Sequence, residues 1–141
     1  MRTLVVGAGA TGGYFGGRLL EAHRDVTFLV RPRRAAELAR TGLALRSRLG
    51  DADLPELPLV YADDLAETFD LVLLACKASF APAVGPDTAV LPLLNGIRHV
   101  DMLQARFGAA HVLGGQCLIS TTLDSEGCIV GRARAVVSHP Q

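Results

Sequence analysis

The sequence lacks the residue patterns that mark nucleic-acid-binding, membrane-surface and metal-binding proteins. Its 141 residues include no tryptophan, and Lys77 is the single lysine among 14 basic residues. The 14 acidic residues balance the basic ones, so the formal net charge is zero and predicts neither a nucleic-acid nor a membrane partner. The three cysteines and four histidines form no CxxC pair and no zinc-ligand spacing, so we expect no metal site.

Long apolar stretches are also missing. No uninterrupted apolar run approaches the roughly 20 residues of a membrane-spanning helix. The apolar run at the N-terminus is short and ends in a glycine turn, which is not the pattern of a signal peptide. The odd number of cysteines argues against a disulfide framework, and the expected location is therefore the reducing cytoplasm.

A glycine-rich turn is the most informative feature that the sequence does contain. Gly7, Gly9 and Gly12 fit the pattern G-x-G-x-x-G, after a strand-like apolar run and before a helical pattern. The first glycine permits a tight turn, the second lets a pyrophosphate approach the backbone, and the third lets the helix pack on the strand. The helix N-terminus adds unpaired N–H groups and a positive dipole end, which favour an anion. The alternative is a glycine turn without a ligand. The predicted dinucleotide-binding residues are Gly7, Ala8, Gly9, Ala10, Thr11 and Gly12.

The rest of the chain alternates strand-like and helical segments, with 50% hydrophobic and 20% charged residues. The main predicted strands are 2–6, 25–30, 42–48, 59–61, 70–75, 89–94 and 112–122. The predicted helices are 11–22, 33–40 and 96–107, and 128–130 with 133–138 form a terminal antiparallel strand pair. This order predicts an α/β fold: a Rossmann-type, doubly wound, mainly parallel sheet with helices on both faces. Such a sheet binds ligands outside the carboxyl ends of its strands.

Arg31 ends the second predicted strand, where an NAD site has an aspartate or glutamate about 20 residues beyond the glycines. A guanidinium at this position can hold the 2′-phosphate of NADP through charge-assisted, bidentate hydrogen bonds. Arg33 or Arg34 can add a second contact. The alternative is a solvated basic helix start, but the helix dipole disfavours basic charge there. The predicted cofactor is therefore NADP(H).

Lys77 and Asn95 each follow a later predicted strand. Lys77 can orient a substrate carboxylate or a cofactor ribose, and the amide of Asn95 can bind a substrate oxygen or the ribose. The alternatives are a surface lysine and a plain Asn-Gly turn. His99 fits a surface helix position better than a general acid, and Cys76 fits strand packing better than a nucleophile.

Together these motifs resemble the 2-dehydropantoate 2-reductase (ketopantoate reductase) family. The resemblance rests on the glycine turn, Arg31, Cys76-Lys77-Ala78 and Leu94-Asn95-Gly96-Ile97, and 114–140 is similar to the family's later strands. It covers nearly all of residues 1–141 but only the amino-terminal, NADP-binding half of the family.

The resemblance implies a function and a role for each matched residue. The family reduces the ketone of 2-dehydropantoate, a 2-keto acid, to pantoate with NADPH, on the way to pantothenate. The turn glycines would hold the pyrophosphate and Arg31 the 2′-phosphate. Lys77 and Asn95 would line the nicotinamide and substrate side.

The chain also departs from the family. The family continues into an all-helical second domain that supplies a catalytic lysine, and no second lysine is present here. Residues 1–141 are therefore expected to be a dinucleotide-binding domain that is inactive alone and self-associates, as a homodimer, through the uncovered apolar patch.

The segment 77–88 is a second departure, because the family usually has a full helix there. Its 12 residues are close to the minimum of about 10–12 for a crossover, so the segment is either shortened or incomplete. An alternative function from another class is a non-catalytic NAD(P)-sensing regulatory domain. Arg31 argues against it, since an acidic residue would more naturally end the second strand of such a domain.

Overall fold

The computed structural model describes residues 1–115 and 117–131 of the chain. The strands in that part, numbered in chain order, are β1 Arg2–Val6, β2 Asp25–Leu29, β3 Leu43–Ser47, β4 Ala52–Leu54, β5 Leu59–Val60, β6 Phe69–Leu74, β7 Val84–Pro92, β8 Thr121–Leu123 and β9 Ile129–Gly131. The helices are α1 Ala10–Glu21, α2 Pro32–Thr41 and α3 Arg98–Phe107. Short 3-10 turns lie at Ala62–Asp64, Ala81–Ala83 and Ala109–His111.

The main sheet has five parallel strands in the order β5-β2-β1-β6-β7. The central strand is β1, where Val5 is paired with Phe28 of β2 and with Leu73 of β6. The chain winds outward from β1 in both directions, so the strand order reverses there. A crevice for ligands therefore opens at the carboxyl end of β1. The predicted Rossmann-type parallel sheet is confirmed.

Each face of this sheet carries its own apolar core. Leu4 and Val6 of β1 lie in one core together with Leu103 of α3. Val5 points to the opposite face, where its core includes Leu38 of α2 and residues of α1. All three β1 side chains are fully buried, because helices cover both faces as predicted.

A smaller sheet with the strand order β4-β3-β9-β8 packs beside α1. β3 and β4 form an antiparallel hairpin, and β9 pairs in parallel with β3 and antiparallel with β8. Leu43, Leu45 and Ile129 of this sheet are buried in the core that α1 and α2 share. The predicted terminal strand 128–130 corresponds to β9, while its predicted partner 133–138 lies outside the described residues.

The connection from β6 to β7 is shorter than a usual crossover. β7 begins at Val84, earlier than the predicted residue 89, so residues 75–83 make the whole connection with one 3-10 turn. The buried ring of Phe80 packs on Phe107 of α3, with 5.4 Å between ring centroids. An aromatic side chain thus covers the part of the sheet face that a crossover helix would cover.

The prediction of a strand over 112–122 is wrong. Val112 makes one isolated parallel bridge to Val90, and Thr121 begins a strand of the smaller sheet. The described residues between them have no regular structure, and Leu113, Gly114 and Gly115 are exposed. The apolar residues of this segment suggested a strand, but the glycine pair offers no side chains to pack on β7.

Candidate cofactor-binding site

Gly7 turns the chain sharply at the end of β1. Its φ is +96°, a conformation that side-chain-bearing L-residues rarely adopt, and its N–H donates to the carbonyl oxygen of Leu29 at 2.9 Å. The sulfur of Cys76 fills the space where a Cβ at Gly7 would lie. The first glycine of the motif is therefore required by the backbone and by the side chain of Cys76.

Gly12 and Gly9 meet different surroundings. A Cβ on Gly12 would overlap the carbonyl oxygen of Gly7 and press on Ala75, so this glycine lets α1 lie against the turn. A Cβ on Gly9 would have no atom of the described residues within 4 Å, apart from its chain neighbours, and the backbone there is extended, with φ −81°. The space in front of Gly9 is open to a ligand that approaches the backbone.

The start of α1 provides donors for an anion. Gly9 is the N-cap residue, no side chain of the described residues caps the helix, and no acidic residue lies in its first turn. Unpaired N–H groups and the dipole therefore present positive charge at the mouth of the turn.

A cleft of about 690 Å³ lies in front of this turn. Its walls come from the glycine turn, the end of β2, the start of α2 and the segment after β6. The lining residues are Gly7, Ala8, Gly9, Leu29, Val30, Arg31, Arg33, Arg34, Ala62, Cys76, Lys77, Ala78 and Ser79. The size of the cleft, the open space at Gly9 and the basic residues fit the phosphates and ribose of a dinucleotide.

The three arginines of this cleft have different environments. Arg31 caps α2 and is exposed, and the side chain of Arg33 is 93% exposed. Arg34 is only 19% exposed, because its Nε donates to the carbonyl oxygen of Ala8 at 2.9 Å and its Nη1 pairs with Glu37 at 3.1 Å. In the sequence Arg33 and Arg34 are neighbours at the start of α2 and equally good second contacts. The hydrogen bond to Ala8, which sequence spacing does not reveal, distinguishes Arg34.

Cys76 lies in the same cleft beneath the glycine turn. Burial raises the pKa of its thiol, and the positive charge of Arg31 lowers it by a smaller amount. Cys76 and Arg31 thus line the same cleft and are coupled electrostatically.

A second cleft, of about 810 Å³, lies on the other side of the turn, between the ends of β7 and β8. It is lined by Thr11, Pro92, Leu93, Leu94, Asn95, Gly96, Ile97, His99, Val100, Gly114, Gly115, Cys117, Leu118, Ile119, Ser120 and Thr121. The hydroxyl oxygens of Thr11 and Thr121 are 3.5 Å apart and link α1 to β8 at its edge. No Lys, Arg, Asp or Glu is among these described lining residues.

The predicted site residues divide between the two clefts. Lys77 lies in the first cleft with Arg31, whereas Asn95 lies in the second, so the structure does not bring these two side chains into one cleft. Ala10 begins α1 and is half-buried, and it lines neither cleft.

Residues 1–115 and 117–131 contain neither a metal-binding cluster nor a membrane-spanning helix. No three His, Cys, Asp or Glu side chains there come together in a way that could hold a metal ion. None of the helices in those ranges has the length and apolar character that crossing a bilayer requires.

Known proteins resemble this chain in sequence and in fold. The model of the family described as ketopantoate reductase PanE/ApbA matches residues 3–138. The uncharacterized oxidoreductase YkpB of Bacillus subtilis is 43% identical over 136 residues, which cover 90% of this chain and 44% of that protein.

Solved structures share the fold. The 2-dehydropantoate 2-reductase of Geobacter metallireducens has a TM-score of 0.86 and 30% identity, over 97% of this chain and 48% of that one. D-mandelate dehydrogenase, in a ternary structure with NADH and anilino(oxo)acetate, has a TM-score of 0.82. Its 24% identity, over 97% of this chain and 47% of that one, supports the fold alone. The chain spans less than half the length of each of these three proteins.

Proposed function

The chain belongs to the ketopantoate reductase (PanE/ApbA) family of NAD(P)-dependent oxidoreductases, and on that premise we propose that it is the NADP-binding part of an enzyme that reduces a 2-keto acid. The proposed reaction is the reduction of 2-dehydropantoate to pantoate in pantothenate biosynthesis, in the cytoplasm. Residues 1–141 are the dinucleotide-binding domain, and a helical domain outside them supplies the general-acid lysine. A homodimer is the proposed assembly.

One observation carries the proposal: the glycine turn and Arg31 line a single cleft. Gly9 leaves space for the pyrophosphate next to the N–H groups at the start of α1. Arg31 stands at the end of β2, where its guanidinium can pair with a ribose 2′-phosphate. Lys77 lines the same cleft and can donate to ribose or phosphate oxygens.

The second cleft is the proposed place for the nicotinamide and the keto acid. When bound, the nicotinamide supplies the hydride for the ketone carbon. Asn95 can donate its amide N–H to the ketone or the ribose, and Thr11 and Thr121 offer hydroxyl groups at the border between the clefts. No described lysine or arginine lines this cleft, so the substrate carboxylate needs a positive charge from elsewhere.

Cofactor titration tests the proposal. We expect the purified protein to bind NADPH more tightly than NADH in calorimetric titrations at one salt concentration, because Arg31 replaces the acidic residue of an NAD site. Arg31→Asp should weaken NADPH binding and spare NADH, since it removes the phosphate partner and adds a repelling charge.

The matched control is Arg40→Asp. It makes the same charge change on the last turn of the same helix, outside the cleft, and should leave the NADPH preference in place. Equal affinities for the two cofactors in the wild-type protein, or tighter binding of NADH, would contradict the proposed specificity.

A further inference from the structure

The environment of Arg34 separates it from its neighbour Arg33. The side chain of Arg33 is 93% exposed, and its Nε is 4.0 Å from Glu37. Arg34 is 19% exposed and is fixed at two nitrogens, by the Ala8 carbonyl at 2.9 Å and by the Glu37 carboxylate at 3.1 Å. A buried, doubly anchored guanidinium keeps one orientation, whereas an exposed one samples many rotamers.

The third nitrogen of Arg34, Nη2, has no acceptor among the described residues. Nη2 is buried and makes no hydrogen bond within the described part of the chain, although Arg34 lines the 690 Å³ cleft. A buried charged donor without a partner costs free energy, and an acceptor that reaches it lowers that cost. An oxyanion of a ligand in the cleft is such an acceptor.

The position of Arg34 on α2 indicates which oxyanion of the ligand would be its acceptor. It lies three residues after Arg31, one helical turn along, and both residues line the cleft. The end of β2 and the start of α2 meet the adenosine ribose in a dinucleotide-binding sheet. Both arginines therefore line the cleft in the region where a 2′-phosphate would lie.

We propose that Arg34, rather than Arg33, is the second arginine of the 2′-phosphate site, held by the carbonyl of Ala8 and the carboxylate of Glu37. This inference rests on the proposed function and deepens it. Ala8 belongs to the glycine turn, so one side chain joins the phosphate site to the turn that receives the pyrophosphate. Glu37 neutralises part of the arginine charge and holds the plane of the guanidinium.

The test measures the ratio of the dissociation constants for NADH and NADPH. Arg34→Gln keeps a donor for the Ala8 carbonyl but removes the charge, and the ratio should fall about tenfold or more while NADH affinity changes little. Arg34→Lys keeps a point charge without the planar fork, and its ratio should lie between those of Arg34→Gln and the wild type, about threefold or more below the wild-type value. Circular dichroism checks folding, and if Arg34→Gln does not fold, the lysine variant decides.

Arg33→Gln and Arg40→Gln complete the design. The proposal is overturned if Arg34→Gln and Arg34→Lys keep the wild-type ratio, or if Arg33→Gln lowers the ratio and the Arg34 variants do not. Arg40→Gln reports the effect of losing one positive charge from α2 outside the cleft. A wild-type protein that binds neither cofactor overturns the proposed function and this inference together, which distinguishes that result from a failure at Arg34 alone.

Discussion

A Cβ atom added to Gly12 would overlap the backbone carbonyl oxygen of Gly7. Gly9, between them in the same motif, would place its Cβ in open space. Two glycines of the turn are thus required by the packing of the protein on itself, and the middle one is free of that requirement. No packing contact in the described structure requires a glycine at this position, and a ligand that approaches its backbone is the reason we propose.

Substitution at Gly9 should separate binding from folding. Gly9→Val adds a side chain to the space in front of the turn, and its extended backbone accepts an L-residue. We therefore expect a native circular dichroism spectrum and loss of NADPH binding by calorimetry. Normal NADPH binding by a folded Gly9→Val protein would show that the glycine turn is not the phosphate site.

Gly12→Ala is the companion variant, and it should lower the stability of the fold, which Gly9→Val should leave intact. Its Cβ meets backbone, which cannot move aside without displacing α1 or the turn. We expect the free energy of unfolding to fall by about 1–3 kcal/mol or more, the typical cost of overpacking a well-packed site. Chemical denaturation measures it, and a stability equal to that of the wild type would contradict the close contact of α1 with the turn.

The elements around the turn were predictable from sequence because short-range rules determine them. The run Leu4-Val5-Val6 is apolar without alternation, which indicates a strand covered on both faces, and all three side chains are buried. Pro32 can begin a helix and Gly42 can end one, and α2 lies between them. Arg31 was recognisable from its place after a strand.

The misjudged features depend on contacts between distant residues. Whether residues 112–122 form a strand depends on a partner edge, and of the described residues in this range Val112 alone pairs with β7. The early start of β7 at Val84 depends on Thr88, whose hydroxyl bonds Phe69 on the neighbouring strand. The separation of Lys77 from Asn95 into two clefts depends on how β6 and β7 end in space, which sequence spacing does not reveal.

Thr88 should be important for stability because it ties the first residues of β7 to β6. The residue is 3% exposed, and its hydroxyl donates to the Phe69 carbonyl at 2.6 Å and accepts the Gly85 N–H at 2.8 Å. Thr88→Val keeps the shape and leaves both backbone groups unpaired, which should cost about 1–3 kcal/mol in the free energy of unfolding. Thr88→Ser keeps the hydroxyl and should lose clearly less, and denaturation curves of equal midpoint for the two variants would refute this role.

Cys76 should report on occupancy of the first cleft. Burial raises the pKa of its thiol above the usual range, so the neutral thiol dominates near pH 7 and alkylation by iodoacetamide should accelerate as the pH rises toward that pKa. Arg31→Asp removes the charge that favours the thiolate, so the pKa should rise further and the rate at a given pH should fall. Saturating NADPH should protect Cys76.

Cys128 provides the internal reference for that experiment. It lies beside the smaller sheet, outside the first cleft, so NADPH should not change its alkylation rate. Mass spectrometry of the labelled peptides resolves the two sites. Protection of both cysteines to the same degree would point to a general tightening of the fold, and no protection of Cys76 would place the cofactor elsewhere.

The protein of residues 1–141 should bind the cofactor but should not reduce a keto acid at an enzymatic rate. Hydride transfer to a ketone develops alkoxide charge, and a positioned acid must neutralise it. The described lining residues of the second cleft include no lysine, arginine or carboxylate, and their one imidazole is that of His99. Lys77 lies in the other cleft. With NADPH and 2-dehydropantoate, nicotinamide absorbance should therefore show turnover far below the order of 10 per second typical of enzymes. Any slow rate that remains should survive His99→Gln, because we assign His99 no proton transfer.

Turnover at about 10 per second would show that residues 1–141 already hold a complete catalytic set, and loss of that turnover in His99→Gln would identify His99 as the acid.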